Sequence, residues 1–191
     1  MTTDTRIMPM TSQYGAYEIR PIIDADASQL RALVIETLAS FGMSGEGCAA
    51  YDAELADLPN YRDNTPGSQF FAIVPLETPE TVLGLIGYEP LKGETERAVH
   101  QVASEVQRMA EIVKFYFRPV LRGKGLGRFA LEHVLAQCQY EGYTHAYMET
   151  APHLLAVPLF KKLGFTPTTK QGNNGHTHPD ITVFMIKSLM P

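Results

Sequence analysis

The sequence predicts one mixed α/β domain, and three observations lead to this prediction. The chain has 191 residues, a typical length for one domain that buries its own core. Hydrophobic residues make up 45% and charged residues 19%, as in folded globular proteins. In the second half, segments with the alternation of strands are separated by segments with the spacing of helices. Strands and helices in this order build a sheet that is covered by helices.

The first half of the chain predicts one well-marked helix among short strands. Apolar residues recur every three or four positions from Leu30 to Phe41. Asp26 and Gln29 are placed to cap the start of this helix, and Gly42 is placed to end it. We predict a flexible tail at 1–16 and a single domain at 17–191. In its first half, the domain is predicted to contain a strand at 17–23, this helix, a shorter helix at 46–58, a loop at 59–67, and strands at 69–75 and 81–91.

The second half predicts two strand–helix pairs followed by closing strands. A charged segment at 92–108 has a partial helical pattern, and its form is left open. A glycine-rich loop at 171–178 separates the last two strands. The predicted elements are a strand at 109–118, a helix at 125–140, a strand at 143–150, a helix at 152–163, and strands at 165–168 and 180–189.

Charge and hydrophobicity exclude several classes of protein. The formal net charge is −5, opposite in sign to that of most nucleic-acid-binding domains, so no nucleic-acid partner is expected. Residues 1–16 lack the apolar core of a signal peptide, and no apolar run approaches the roughly 20 residues that span a bilayer. These features predict a cytoplasmic protein without a membrane partner. Cys48 and Cys138 fit no zinc or redox spacing and are expected to pack as thiols.

A basic, glycine-rich loop lies between a predicted strand and a predicted helix: Arg122-Gly123-Lys124-Gly125-Leu126-Gly127. Its glycines let an anion approach the backbone, and the first helical turn offers unpaired amide hydrogens at the positive end of the helix dipole. Arg122, Lys124 and Arg128 add positive charge, so the pattern predicts a pyrophosphate-binding loop. A Rossmann loop would need a third glycine at position 128, and no Walker loop is present. Glycines that only turn the chain are the structural alternative.

The loop resembles the signature of the GCN5-related N-acetyltransferases: Gln or Arg, two residues, Gly, one residue, then Gly or Ala. A second block also resembles this family, with Tyr147-Met148-Glu149-Thr150 on a strand and Leu159-Phe160-Lys161-Lys162-Leu163-Gly164-Phe165 after it. Phe41-Gly42-Met43 and the segment 172–176 are similar to a bacterial subgroup without an assigned substrate. The resemblance implies the acyl-CoA N-acyltransferase fold, a central mixed and mostly antiparallel sheet flanked by helices.

The resemblance also implies acetyl-CoA as the co-substrate. Main-chain amides of the loop 122–127 would hold the coenzyme A pyrophosphate. Main-chain groups around Phe115 and Phe117 would hold the pantetheine arm and polarise the acetyl carbonyl. His153 stands where many relatives have an asparagine that contacts the same arm.

Acetyl transfer to an amine needs a base, and Glu111 is the first candidate. Strand alternation places it on one face with Val113, Phe115 and Phe117. In the histone-acetyltransferase branch, which this segment resembles, the base is a glutamate in a Glu-Ile-Val strand at the same distance from the loop. A solvated glutamate at a strand end is the structural alternative, and Glu149 is the second candidate for the base.

The general acid is unassigned. Many relatives have a tyrosine where this chain has Phe160, which has no proton to give. Tyr116 and Tyr147 are the candidate substitutes, although the favoured explanation of each is a packing aromatic. Solvent is another source, because a thiol is itself a weak acid with a pKa near 8.5.

We therefore expect an acetyl-CoA-dependent N-acetyltransferase that acts on an amine of a small molecule or peptide. The acceptor pocket is expected between the first two helices, the loop 41–47 and the C-terminal loop. The alternative is a non-catalytic acyl-CoA sensor. The lack of a proton donor at Phe160 favours this alternative, and the presence of a candidate base at Glu111 disfavours it. No metal is expected, although the segment 176–180 contains two histidines and an aspartate. The acceptor, the acyl length and the choice between monomer and homodimer are left open.

Overall fold

Eight strands form one sheet in the computed structural model, which describes residues 10–43, 48–92, 108–172 and 179–190. The strands are β1 (Ser12–Tyr14), β2 (Tyr17–Pro21), β3 (Gln69–Pro75), β4 (Gly84–Pro90), β5 (Met109–Phe117), β6 (His145–Thr150), β7 (Thr166–Pro167) and β8 (Val183–Ser188). Their order across the sheet is β1-β2-β3-β4-β5-β6-β8-β7. All neighbouring strands are antiparallel except β5 and β6. The prediction of a mixed, mostly antiparallel sheet is confirmed.

Helices cover both faces of this sheet. α1 (Ala27–Ser40) and α2 (Leu58–Asp63) pack on one face, and α3 (Leu126–Tyr140) and α4 (Val157–Lys162) pack on the other. The buried apolar residues of α1 and α2 belong to one cluster, and those of α3 and α4 belong to another. The two sides of the sheet are called the α1 face and the α3 face below.

The apolar stripe of α1 is the one that the sequence predicted. Leu30, Leu33, Val34 and Leu38 are all buried. Burial of each side chain contributes about 1.5–3 kcal/mol relative to exposure. Gly42 ends the helix with a φ of +73°, a left-handed conformation that glycine adopts without steric penalty.

The predicted capping pair at the start of α1 is wrong. The Asp26 carboxylate accepts two hydrogen bonds from the Arg20 guanidinium, at 2.8 and 3.0 Å, and one from the Ile23 amide at 3.0 Å. Gln29 accepts a hydrogen bond from the Val82 amide at 3.1 Å. Both polar side chains therefore tie α1 to neighbouring segments, because charged and buried tertiary donors outcompete a local cap.

Two prolines explain why two predicted helices have different boundaries. The helix predicted at 46–58 is wrong: its described part holds two short 3₁₀ turns, Ala49–Tyr51 and Ala53–Ala56, and α2 begins only at Leu58 and continues through the predicted loop to Asp63. Pro59 and Pro158 stand in the first turns of α2 and α4, where a proline costs no helical hydrogen bond. For the same reason α4 is shorter than the predicted helix at 152–163.

A strand lies inside the predicted N-terminal tail. β1 and β2 form an antiparallel hairpin in which Tyr14 opposes Tyr17. The prediction of a tail that extends to residue 16 is therefore wrong for Ser12–Tyr14. A segment of three residues is too short to show the alternating pattern of a strand, so this strand is recognised only from its pairing with β2.

Several predicted features lie outside the described residues. These are the first part of the tail, the end of the loop after α1, most of the charged segment and most of the glycine-rich C-terminal loop, at 1–9, 44–47, 93–107 and 173–178. Within the described helices, none is long and apolar enough to cross a membrane.

Candidate active site

β5 and β6 separate in the middle of the sheet. Their parallel pairing joins residues 109–111 to residues 145–147 and ends there in the described ladder. A pocket of about 400 Å³ lies at this opening. Its lining residues come from the apolar clusters of both faces, so the pocket connects the α1 face with the α3 face.

A β-bulge in β5 shapes the wall of this pocket. Between the pairs Leu85–Tyr116 and Gly87–Val113, β5 has one residue more than β4. Lys114, inside the bulge, has a φ of +55°, which is strained for a residue with a side chain. A bulge leaves backbone groups of the extra residue outside the ladder. Such groups can bind a ligand in the pocket, which the bulged residues line.

The bulge corrects the predicted face of Glu111. Simple alternation placed Glu111 on the same face as Phe115 and Phe117. The extra residue reverses the alternation, so Val113 belongs to the cluster of the α1 face while Phe115 and Phe117 pack against the cluster of the α3 face. Glu111 precedes the bulge and shares the α1 face with Val113, on the opposite side from the two phenylalanines.

Lys114 is a buried cation that the sequence did not single out. Its ammonium forms an ion pair with Asp52 and lies 3.4 Å from a carboxylate oxygen of Glu54. Both acids belong to the segment of 3₁₀ turns between α1 and α2. The two pairs therefore hold this segment against the bulge. A lysine within an apolar strand was the only sequence signal.

The glycine-rich loop joins β5 to α3 as predicted. Gly123 and Gly125 have φ angles of +73° and +81°, and Gly125 directly precedes the first residue of α3. A side chain at either position would strain the backbone. The loop contributes to the pocket lining through Arg122, Gly123, Gly125, Gly127 and Arg128.

The side chains of Lys124 and Leu126 point away from this lining. Leu126 is buried in the cluster of the α3 face. The Lys124 ammonium donates to the Tyr17 hydroxyl at 3.2 Å and lies over the same ring. A role of the main-chain amides of these two residues in binding an anion stays a prediction.

Tyr14 is a residue near the loop that the sequence missed. A Cβ atom at Gly125 would lie 2.7 Å from the Tyr14 hydroxyl. The Tyr14 ring also packs against Phe129 of α3, with ring centroids 5.1 Å apart. The β1–β2 hairpin therefore packs against the loop. The sequence did not predict this contact, because residues 1–16 show no hydrophobic periodicity.

An aromatic wall lines the α3 side of the pocket. Phe115 contacts Phe117 and Phe160 edge to face, at centroid distances of 4.8 and 5.5 Å, and Phe160 contacts Phe165 at 4.9 Å. Phe160 is buried. Phe160, which stands where the family resemblance implies a tyrosine in many relatives, is thus part of an apolar surface. Its side chain has no proton to donate.

Two buried carboxylates lie on the α1 side of the opening. Glu111 is 1% exposed, the Glu149 side chain is 2% exposed, and both line the pocket. This burial excludes a solvated strand-end glutamate at position 111. Tyr147 is the strand partner of Glu111, and Glu149 follows it by two residues, so both acids project from adjacent strands to one face.

The two tyrosines considered as acids have different surroundings. Tyr147 donates its hydroxyl hydrogen to Glu149 at 2.8 Å and accepts from the Gln171 amide at 3.0 Å. Tyr116 lines the pocket, whereas Tyr147 is not among its described lining residues. Burial raises the pKa of both phenols, and the nearby Asp52 charge adds to the rise at Tyr116.

Two further predictions concern residues at the margins of the site. His153 is exposed and is not among the described residues that line the pocket, so its contact with a pantetheine arm stays a prediction. In the part of the chain that the structure describes, no group of three His, Cys, Asp or Glu residues could hold a metal ion. The histidines at 176 and 178 lie outside that part.

Comparison with known families decides what kind of protein carries this pocket. The model of the Acetyltransferase (GNAT) family matches residues 35–165, more than half of the chain. The chain belongs to this family. The acetyltransferase is also 28% identical over 167 residues to the "Uncharacterized N-acetyltransferase YjgM" of Escherichia coli (strain K12), an alignment that covers 86% of this chain and 90% of that protein.

Solved structures share the fold of this acetyltransferase. A GNAT-family acetyltransferase from Staphylococcus aureus Mu50 has a TM-score of 0.70 at 15% identity, with 92% of this chain and all of that chain covered. YncA of Salmonella typhimurium, solved with its cofactor acetyl-CoA, has a TM-score of 0.65 at 20% identity, with 92% and 95% covered. PaiA N-acetyltransferase of Thermoplasma acidophilum, in complex with coenzyme A, has a TM-score of 0.65 at 15% identity, with 91% and 99% covered. The predicted acyl-CoA N-acyltransferase fold is confirmed.

Proposed function

We propose that this acetyltransferase binds acetyl-CoA in the opening between β5 and β6 and transfers the acetyl group to an amine of a small molecule or peptide. The observation that carries the proposal is one pocket that joins the glycine-rich loop before α3 to the buried carboxylates Glu111 and Glu149. Structural relatives solved with coenzyme A or acetyl-CoA support it. Acetyl-CoA supplies an activated acyl group: the new N–C bond forms as the C–S bond breaks.

The residues around the loop fit a diphosphate. With a glycine at the residue before α3, this residue adds no side chain of its own between an anion and the first amides of the helix. Arg122 and Arg128 line the same part of the pocket and add positive charge. The aromatic wall that includes Phe115 and Phe117 offers an apolar path for a pantetheine arm. The bulge amides, at the end of this path, would donate hydrogen bonds to a carbonyl oxygen.

Glu111 is the proposed general base, and Glu149 is the second candidate. An amine that enters as an ammonium must lose a proton before its nitrogen can attack a carbonyl carbon. Glu111 precedes the bulge by three residues and lies on the α1 side of the opening, so it faces the acceptor side rather than the aromatic wall. Its carboxylate would take the proton from the ammonium.

We expect Tyr116→Phe to lower turnover by less than about tenfold, well below the usual effect of losing a general acid. Because burial raises the pKa of this phenol, proton transfer from it to a thiolate with a conjugate acid near pKa 8.5 is unfavourable. The thiolate would leave unprotonated or take a proton from solvent. Initial rates of thiol release measure this effect. A loss above about 100-fold would instead assign Tyr116 as the acid.

We expect Arg122→Ala to weaken coenzyme A binding more at low salt than at high salt, because salt screens exposed charges. Lys124→Ala should show the same salt dependence with a smaller loss, since its ammonium is directed to Tyr17. Isothermal titration with coenzyme A at two ionic strengths provides the measurement. Equal losses at both ionic strengths would contradict an electrostatic role.

The proposal is tested by thiol release from acetyl-CoA across amines, amino acids and peptides. Release above the rate without acceptor, for at least one acceptor, is the expected result. The alternative function is a non-catalytic sensor, for which the apolar residue Phe160 is the supporting observation. Tight binding of acetyl-CoA without acceptor-dependent release across the whole panel would favour the sensor.

A further inference from the structure

The acceptor side of the pocket has apolar walls. Leu38, Phe41 and Met43 line it from α1 and the residues that follow, and Leu154 and Ile181 line it from the second half of the chain. All five belong to, or pack against, the apolar cluster of the α1 face. Their side chains offer no hydrogen bonds to a polar ligand. A ligand in this space is therefore bound most favourably if the part that contacts these walls is apolar.

Glu149 adds a polar anchor to these walls. Its side chain is 2% exposed, and its Oε2 atom has no hydrogen-bond partner among the described residues. The Lys170 ammonium forms an ion pair with this oxygen at 3.8 Å, a distance beyond that of a hydrogen bond, so the oxygen still lacks a donor among the described residues. A buried carboxylate oxygen without a donor is unfavourable, and an N–H donor on a ligand would relieve this. Glu149 can therefore accept a hydrogen bond from an ammonium N–H of the ligand.

The cations that line the described pocket are already engaged. Lys114 is held in ion pairs with acids of the 3₁₀ turns. Arg122 and Arg128 lie at the glycine-rich loop, where the proposed function assigns their positive charge to the diphosphate. A carboxylate on the ligand would therefore be repelled by two buried acids, while the Lys170 ammonium is already ion-paired with Glu149.

We propose that the acceptor is a primary amine with an apolar body and without a carboxylate. Glu149 Oε2 accepts a hydrogen bond from its ammonium, and Glu111 takes the proton that must leave before attack. The apolar body lies against the walls from α1 and from residues 154 and 181. This inference rests on the proposed function, because it assigns a substrate class to the same pocket.

Phenethylamine and phenylalanine are matched probes, since they differ only in the carboxylate. With acetyl-CoA, we expect kcat/KM for phenethylamine to exceed that for phenylalanine by at least about tenfold, the cost of placing a charge opposite buried acids. Isothermal titration of both probes into the protein with saturating coenzyme A gives a readout that is independent of turnover. Equal binding, or a preference for phenylalanine, would overturn the inference.

Glu149→Gln tests the anchor, because it keeps the shape and the acceptor for the Tyr147 hydroxyl but removes the charge. We expect phenethylamine binding to weaken by about 10- to 100-fold, the effect of losing a hydrogen bond to a charged group. Glu89→Gln is the matched control: Glu89 is a buried glutamate on the same face that does not line the pocket. Equal losses in both variants would overturn the role of Glu149.

The two proposals fail in different ways. If phenethylamine binds preferentially but no thiol is released, the transfer function is wrong and the amine-binding inference stands. If thiol is released with phenylalanine at least as readily as with phenethylamine, the function stands and the inference is wrong. Neither outcome depends on whether Glu149→Gln is stable, because binding and thiol release with both probes are measured on the wild-type protein.

Discussion

Replacing Glu111 with Gln is expected to lower turnover by about 10²- to 10⁴-fold, the usual cost of losing a general base. Glutamine has the same shape and retains hydrogen bonding, but it does not accept a proton. Coenzyme A affinity should be unchanged, because Glu111 lies on the α1 face while the aromatic wall and the loop lie on the α3 side. Turnover of the wild-type protein should rise with pH as the general base loses its proton, and the pH–rate profile of the variant should lack this rise. Initial rates with one verified acceptor over a range of pH, together with titration of coenzyme A, measure both effects.

Two further glutamates make this experiment specific. Glu89 opposes Glu111 across the β4–β5 ladder, is buried, and does not line the described pocket, so Glu89→Gln should retain most of the turnover. Glu89 accepts a hydrogen bond from Tyr61 at 2.6 Å, and thermal unfolding must be compared to separate stability from activity. If Glu149→Gln loses the rise with pH and Glu111→Gln keeps it, the roles of the two pocket acids are exchanged.

Replacing Gly125 with Val is expected to weaken coenzyme A binding by at least about 100-fold, as when two or more charge-assisted hydrogen bonds are lost. The side chain would lie at the start of α3, where the diphosphate approaches the amides. It would also meet the Tyr14 hydroxyl at 2.7 Å, and the φ of +81° is unfavourable for valine. Isothermal titration with coenzyme A gives the affinity. Unchanged affinity in a folded variant would falsify the assignment of the loop.

The other end of α3 provides a control for backbone strain. Gly142 has the same φ of +81°, and a Cβ atom there would contact only the flexible end of Arg108, at 3.3 Å. Gly142→Val should therefore lower the unfolding temperature as Gly125→Val does, while leaving coenzyme A affinity intact. Tyr14→Phe combined with Gly125→Val removes the contact with the hydroxyl. If affinity returned in this double variant, displacement of the hairpin, rather than exclusion of the diphosphate, would explain the loss.

Features that depend on a few neighbouring residues were predictable from the sequence. The loop 122–127 is defined by its glycines and basic residues, and its position between β5 and α3 follows from the patterns on either side. The buried stripe of α1 follows from helical spacing, and Gly42 marks its end. In these cases the local backbone preference and the tertiary structure favour the same conformation.

Features that depend on partners distant in the chain were not predictable in the same way. Asp26 and Gln29 fit a local cap, but Arg20 and Val82 provide better partners in the folded chain. The hairpin of β1 shows no period of its own and is defined only by pairing with β2. The acidic residues of the 3₁₀ turns are explained by Lys114, which follows Asp52 by 62 residues in the chain.

For the candidate site, the sequence by itself predicted the glycine-rich loop, the family resemblance and the two acidic residues that are proposed as the base. Only the tertiary structure decided which face each residue occupies. A single extra residue in β5 reverses the alternation after Val113, so Glu111 lies on the α1 face while Phe115 and Phe117 lie on the α3 face. The physical reason is that strand alternation is a local rule with a period of two, whereas a bulge depends on how one strand pairs with its neighbour.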